Sequence, residues 1–235
     1  MDSDDSTMSE EFEIFETHFL PFLKEKAELI IPMLEGKKVL EVGCGTGDLL
    51  QFLYSDNYEL VGSDYSNIYL DKARERNLSI KLFKADLLDD KFWLQYENKF
   101  DSVIASEVIE HIQDDSKALK TIFRILKPSG VLVLTVPAFN FLYSNHDKKI
   151  GHFRRYSKKS LNNIINSAGF SIETIRYWNI LGFFGWLINF KILNKHLDSS
   201  AKSSLIYVLT KSLQIERNMK FPLGLTIVVK ARKKN

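Results

Sequence analysis

From residue 37 onward the chain alternates short apolar runs with helix-patterned segments, and this alternation restricts the fold more than any other feature. KKVLEV (37–42), YELVGSD (58–64), IKLFKAD (80–86), FDSVIAS (100–106) and VLVLTVP (131–137) read as strands. They are nearly continuous in apolar residues, as strands buried on both faces are. Between them, LLQFLYS (49–55), IYLDKARERN (68–77) and residues 114–127 read as helices; the last carries Ala118, Leu119, Ile122, Phe123 and Leu126 as its apolar stripe. KPSG (127–130) reads as a turn. Strands separated by helices pair in parallel through right-handed βαβ units. The expected fold is α/β, a doubly wound, Rossmann-like sheet with helices on both faces.

After Pro137 the rhythm breaks, and residues 138–157 have no clear period. SLNNIINSAGF (160–170) then reads as a helix closed by Gly169, SIETIRYW (171–178) as a sixth strand, 180–217 as helical and aromatic-rich, and GLTIVVKAR (224–232) as a last strand. Residues 10–35 read as helices preceding the first strand. Residues 1–9 read as a disordered acidic tail: Asp2, Asp4, Asp5, Glu10, Glu11, Glu13 and Glu16 carry charge with no Lys or Arg among the first sixteen residues. The remainder, 10–235, is expected to be one domain, which a 45% hydrophobic chain can build around one large core.

A net charge of +2 gives no global drive toward nucleic acid. Cys44 is the only cysteine, so no internal disulfide forms and a cytoplasmic setting is expected. The N-terminus lacks a basic segment followed by an apolar core, so no signal peptide is expected. The most apolar stretch, ILGFFGWLINF (180–190), falls far short of the ~20 residues that span a membrane.

VLEVGCGTG (39–47) runs a strand into Gly43, Gly45 and Gly47 and then into a helix. Glycines here admit positive φ and let backbone approach a ligand. In a doubly wound sheet, ligands bind at the carboxyl ends of the strands. A dinucleotide fingerprint would need glycine at 48, where Asp48 stands and would repel a pyrophosphate. The pattern is instead E-x-G-x-G-x-G from Glu41, which argues for a ligand with an amino group or cationic centre. Asp64 closes strand two, where a carboxylate can accept both hydroxyls of a ribose. Asp86 closes strand three, placed to accept from an adenine amino group with Leu87 against the ring. Ser106 and Glu107 close strand four. Each acid alone is more often a helix cap. Four consecutive strands ending in polar groups at one rim are harder to obtain by capping.

VLEVGCGTG, SDYS (63–66), KADLLD (84–89), FDSVIASEVIEHI (100–112) and ILKPSGVLVLTVP (125–137) together resemble the class I S-adenosylmethionine-dependent methyltransferases over residues 37–137. Ser129 departs from the usual KPGG. The resemblance implies a seven-stranded sheet whose last strand is antiparallel and inserted between strands five and six, with a lid insert after strand five. It divides the domain into a cofactor-binding half (37–137) and an acceptor lid with C-terminal helices (138–223). It implies that the glycines face the methionine part of the cofactor, Asp64 the ribose, and Asp86 and Leu87 the adenine, with Glu41, Tyr65, Ser106 and Glu107 completing the cofactor site. HDKKIGHFRRYSKKSLNNIINSAGF (146–170) and IERNMKFPLGLTIVVKARK (215–233) resemble methyltransferases close to the ubiquinone-pathway O-methyltransferases.

In EVIEHI, Glu107, Glu110 and His111 stand at i, i+3 and i+4, so a helical turn would place them on one face. Two carboxylates and an imidazole can hold Mg²⁺ or Zn²⁺. The pattern is similar to that of ubiquinone-pathway and small-RNA 2′-O-methyltransferases, where it is joined by a later histidine. His152 is preferred to His146 for that place because Gly151 permits a tight backbone. Without metal, His111 is a wall of the acceptor pocket or a general base, with Glu110 beside it.

Residues 138–157 follow strand five and are expected to cover the acceptor. Lys148, Lys149, Arg154, Arg155, Lys158 and Lys159 would border its mouth, with His152, Arg154, Arg155 and Tyr156 contacting substrate. Trp178, Phe183, Phe184, Trp186 and Phe190 either bury against strand six or meet a membrane interface. A basic lid beside an aromatic helix suits a small-molecule or lipid-like acceptor with an anionic head, and a peripheral membrane position. The expected activity is methyl transfer to oxygen, less readily nitrogen. The rivals are RNA 2′-O-methylation with a metal, and a catalytically silent cofactor-binding module. Oligomeric state has no signature in the sequence.

Overall fold

A computed structural model of the chain describes residues 21–55, 57–76, 79–188 and 203–234. The expected acidic tail, residues 10–20 and Phe190 lie outside the described residues. Helix α1 occupies 21–30 and continues into a 3₁₀ turn at Ile31–Met33. There follow β1 (Lys38–Val42), α2 (Asp48–Leu53), β2 (Glu59–Asp64), α3 (Asn67–Glu75), β3 (Lys81–Lys84), α4 (Asp90–Trp93), β4 (Phe100–Ser106), α5 (Asp115–Ile125) and β5 (Leu126–Pro137). The second half supplies α6 (Asn145–Lys149), α7 (Lys158–Ser167), β6 (Phe170–Trp178), α8 (Ile180–Trp186), α9 (Ser203–Glu216) and β7 (Thr226–Lys233).

The seven strands form one sheet in the order β3-β2-β1-β4-β5-β7-β6. The first five pair in parallel, and β7 runs antiparallel between β5 and β6. This is the sheet the resemblance implied. The chain order reverses between β1 and β4, and the crevice above that point is where such sheets bind ligands.

Both faces of the sheet are covered. On one, Leu40, Val103, Leu132 and Leu134 meet Ala118, Leu119 and Ile122 of α5 and Leu161 and Ile165 of α7. On the other, Val39, Ile104, Val131 and Val133 meet Leu49, Leu50 and Leu53 of α2, Leu70 of α3, and Ala27 and Ile30 of α1. Each fully buried Leu, Ile or Val adds roughly 1.5–3 kcal/mol over an exposed one. Polar caps set the helix starts: the Ser66 side chain accepts from Tyr69 N, Asp114 from Lys117 N and Ser157 from Ser160 N.

The turn expected at 127–130 lies inside the span of β5. Leu126 pairs with Phe100 and Val131 with Ser102, so the four residues between bulge out of the ladder. Ser129 sits there at φ 61°, a left-handed position that explains why glycine is usual at this place. The third strand is shorter than expected, ending at Lys84. The aromatic segment after β6 divides its side chains: Trp178 and Phe183 are buried, whereas Phe184 is exposed. Among the described residues no helix is long and apolar enough to cross a membrane.

Candidate active site

The glycine loop leaves β1 with Gly43, Gly45 and Gly47 all at positive φ (64°, 53° and 77°). Gly43 has no room for a side chain, since a Cβ would lie 2.5 Å from Val108 Cγ2. Gly45 faces open space, with nothing within 4 Å of its notional Cβ. Asp64, at the end of β2, braces the loop: its carboxylate accepts from Gly45 N and Ser66 N, each at 2.8 Å. A carboxylate offers about four lone-pair sites, so two stay available for ligand hydroxyls. Asp86 is exposed, accepts from Leu88 N at 2.8 Å, and turns its carbonyl to Trp93 Nε1. Leu87 is in the core and Tyr65 is 70% exposed, with Lys84 over its ring. Asp48 is not a bare negative charge, because Arg76 pairs with its carboxylate. Repulsion of a pyrophosphate therefore carries less weight than its place in the motif implied.

Glu41 is buried in β1, and its Oε2 has no hydrogen-bond partner. Burial raises its carboxyl well above the ordinary range, opposed by the nearby Lys26. An orphaned buried carboxyl oxygen under an open glycine loop fits a ligand that brings an ammonium or cationic centre.

At the end of β4 the expected single helical turn does not form. Glu107 takes φ 55° and a 3₁₀ turn covers only Ile109–His111. Glu107 stays close enough for its charge to act on Glu110 and His111, but falls outside the mutually close set of ligand atoms. Its Oε1 accepts from Thr135 Oγ1 at 3.1 Å and lies 3.6 Å from Lys26 Nζ. Glu110 is 0% exposed and neither of its carboxyl oxygens has a partner. Burial first, then the Glu107 charge, raises its pKa well above normal. The ligand atoms of Glu110, His111 and His152 all lie within 4.8 Å of one another. His111 is held below its usual pKa by burial and by His152, whose ring meets it edge-on at 4.5 Å. So the structure gathers three of the four metal candidates and leaves Glu107 to Lys26. His146, the other late histidine, packs against Trp186.

A residue absent from the sequence reading organises the lid. Asp147 is buried and accepts from Ser144 N (2.8 Å), Ser144 Oγ (3.0 Å), Arg155 Nε (2.8 Å) and His152 Nδ1 (2.9 Å). Burial would raise its pKa, but His152 and Arg155 outweigh that and hold it at about 2. An ionised carboxylate only accepts, so His152 Nδ1 carries the hydrogen. In the neutral ring Nε2 keeps its lone pair, 4.0 Å from Glu110 Oε1. A carboxylate behind a histidine orients it toward a metal or a proton. With two unpartnered carboxyl oxygens and two imidazoles, the group fits a divalent cation.

The lid arginines do not border an open mouth as expected. Arg155 is buried, paired with Asp147 and stacked on Trp186 at 4.2 Å. Arg154 pairs with Asp115 at 2.8 Å and donates to Gln113 O. Tyr156 is buried and donates to Asp115 Oδ2 at 2.8 Å. Charge density was legible in the sequence; the acids that absorb it were not. Of the expected substrate residues only His152 joins the cluster.

Lys26 is the second residue the sequence reading missed. It reaches the end of β4 from α1, donating to Ser106 Oγ at 3.2 Å. No motif marks it. Asp147 had a signal: Ser144 and Asp147 form a capping box, a pattern readable as S-x-x-D.

A family profile described as a methyltransferase domain matches residues 17–175. The chain belongs to the methyltransferase domain family. The matched span contains the glycine loop, Asp64, Asp86, the Glu110 cluster and the lid. Its sheet order and glycine loop agree with those of the class I methyltransferases that the sequence resembles. The chain is 31% identical over 104 residues to a ubiquinone biosynthesis O-methyltransferase of Alkalilimnicola ehrlichii, covering 43% of this chain and 42% of that protein. It is 32% identical over 126 residues to a demethylmenaquinone methyltransferase of Staphylococcus aureus, covering 48% and 51%. The matches span about half the length of these curated relatives. A crystal structure of a methyltransferase from Archaeoglobus fulgidus superposes with a TM-score of 0.64 at 20% identity, covering 94% of this chain and 99% of that one. That likeness supports the fold.

Proposed function

We propose that the chain transfers the methyl group of S-adenosylmethionine to a hydroxyl oxygen of a small, apolar acceptor seated over Glu110, His111 and His152. The observation that carries this reading is Glu110. A buried carboxyl with two unpartnered oxygens beside two imidazoles costs stability, and such cost concentrates where chemistry is done. The glycine loop and Asp64 hold the donor at the ends of β1 and β2, while the cluster lies beyond β4, so donor and acceptor meet at the switch point.

In this reading the acceptor O–H gives its proton to a cluster imidazole. The oxygen then attacks the methyl carbon in line with the S–CH₃ bond, which breaks and leaves S-adenosylhomocysteine neutral at sulfur. His152, oriented by Asp147, and His111, kept neutral by burial and so free to accept, are the proton acceptors. A divalent cation held by Glu110, His111 and His152 would lower the pKa of that hydroxyl. Most of the acceleration comes from holding the reactants in line and dry.

An apolar, lipid-like acceptor is supported by the exposed aromatics Phe141, Phe153 and Phe184 of the lid and α8, and by relatives named for quinone chemistry. The same exposed side chains, with Lys148 and Lys149 exposed on α6, support contact with an anionic membrane surface. The internally paired lid arginines lend nothing to an RNA acceptor. The test is methyl transfer from labelled S-adenosylmethionine into fractionated lipid, small-molecule and RNA pools, with and without EDTA. Label in the organic phase supports the reading. Label confined to RNA replaces it, and cofactor binding without any transfer makes the chain a silent module.

A further inference from the structure

Acids crowd the strand ends that border the crevice between β1 and β4: the charge of Asp64 acts on Glu41, Asp64 accepts from Gly45 N, and Glu107 lies 3.6 Å from Lys26 Nζ. S-adenosylmethionine brings to such a crevice an ammonium, a sulfonium, two ribose hydroxyls and one carboxylate. The acids can take the first three. The carboxylate needs a cation.

Helix α1 supplies one. Ala27 and Ile30 pack on Val39, Cys44 and Leu50, and Leu29 packs on Trp178 and Val228. Glu25 and Glu28, on the same helix, pair with Arg217 beyond α9. These contacts set the rotation of α1 and direct Lys26 to the switch point. The residue is 5% exposed. Its ammonium donates to Ser106 Oγ, lies 3.6 Å from Glu107 Oε1, passes 5.2 Å from the Phe22 ring, and acts on Glu41. A buried ammonium needs close, complete pairing to offset its lost hydration. One hydroxyl and a carboxylate at 3.6 Å do this only in part. The buried arginines among the described residues are committed elsewhere: Arg155 to Asp147, and Arg176 to the carbonyls of Glu216, Arg217 and Met219.

We propose that Lys26 binds the carboxylate of the cofactor's methionine moiety, drawing away from Glu107 as it does so. This rests on the methyltransferase reading and adds a specificity residue to it, delivered by a helix outside the glycine loop. Lys26 thus makes the site select cofactors that carry the amino-acid end, and ties cofactor binding to the docking of α1.

The experiment is calorimetric titration of wild type, Lys26→Met and Lys26→Arg with three ligands: S-adenosylmethionine, S-adenosylhomocysteine and methylthioadenosine, which lacks the amino-acid carboxylate. Methionine preserves the stem that fills the crevice, and circular dichroism with thermal melting checks the fold. Lys26→Met is expected to weaken the first two ligands about ten- to a hundred-fold, the range for losing a hydrogen bond to a charged group. Methylthioadenosine affinity stays unchanged, Lys26→Arg recovers most of the loss, and in turnover KM for the cofactor rises with kcat retained. Equal weakening of all three ligands, or no weakening of any, overturns the proposal. Wild type that binds none of them overturns the methyltransferase reading and the proposal with it.

Discussion

Asp147 Oδ1 lies 2.9 Å from His152 Nδ1, and the opposite nitrogen of that ring lies 4.0 Å from Glu110 Oε1. One buried, ionised acid thus aims a histidine at another buried acid that has no partner of its own. The same Asp147 oxygen neutralises Arg155, so the lid is folded and the histidine aimed by a single group. The two functions should fail together.

Asp147→Asn tests that coupling. Asn keeps the size but removes the charge opposite Arg155, and its amide can present N–H to His152 in place of an acceptor. Breaking one side of a buried pair predicts a loss of about 3 kcal/mol, a Tm fall of about 10 °C for a chain this long. Methyl transfer should fall by more than the unfolded fraction explains. Activity at wild-type level in the folded fraction would show that His152 needs no orientation by Asp147.

Asp64→Ala removes the brace of the glycine loop together with the expected partner of the ribose. Cofactor affinity is predicted to fall by about 2 kcal/mol, some thirty-fold, with the far-ultraviolet dichroism unchanged. Titration calorimetry reads this directly. Unchanged affinity would remove Asp64 from the cofactor site.

The parallel pairing of the first strands and the rim of polar strand ends were legible, because each depends on local pattern: apolar runs, helix periods and glycines at strand ends. The antiparallel insertion of the last strand came from the family resemblance alone. What was not legible depends on partners distant in sequence. Lys26 and Ser106 are eighty positions apart, and no period connects them. The arginines at 154 and 155 read as an open basic mouth until Asp115 and Asp147 were seen beside them. Glu107 stays beside Glu110 but outside the close ligand set, because its positive φ breaks the turn that i, i+3 spacing assumed. Spacing tells which side chains can share a face only when the backbone between them is regular.

Acid should weaken the ion pairs that tie Glu35 to Lys230 and Arg232 of β7. Glu35 accepts from Arg232 and Lys230 and is held at about 2, mainly by the Arg232 hydrogen bonds and then by Lys230. Its pKa is depressed on folding, so its contribution is complete above the ordinary value of 4.5 and fades as pH falls from there toward about 2. Glu35→Gln is predicted to flatten the fall of Tm with pH in that window while leaving it similar in form near neutrality. The group is largely exposed, so the effect is small at high salt. An identical acid slope for wild type and variant would show that the unfolded chain holds Glu35 equally low.

Glu110→Gln separates stability from chemistry. The wild-type carboxyl is fully buried, unpartnered and next to Glu107, and each condition disfavours its ionised form. A neutral amide of the same shape removes the need to bury that charge or to carry its proton. The fold should therefore become more stable at neutral pH, by about 1–2 kcal/mol or a few degrees in Tm. The same change removes the one carboxyl ligand of the cluster, so methyl transfer should fall by at least about a hundred-fold, and any divalent ion that co-purifies with wild type should be lost from the variant. Gained stability with lost turnover is the signature of a residue retained for function against the interest of the fold. Destabilisation with full turnover would make Glu110 a structural group, and the acceptor site would have to be sought elsewhere along the rim.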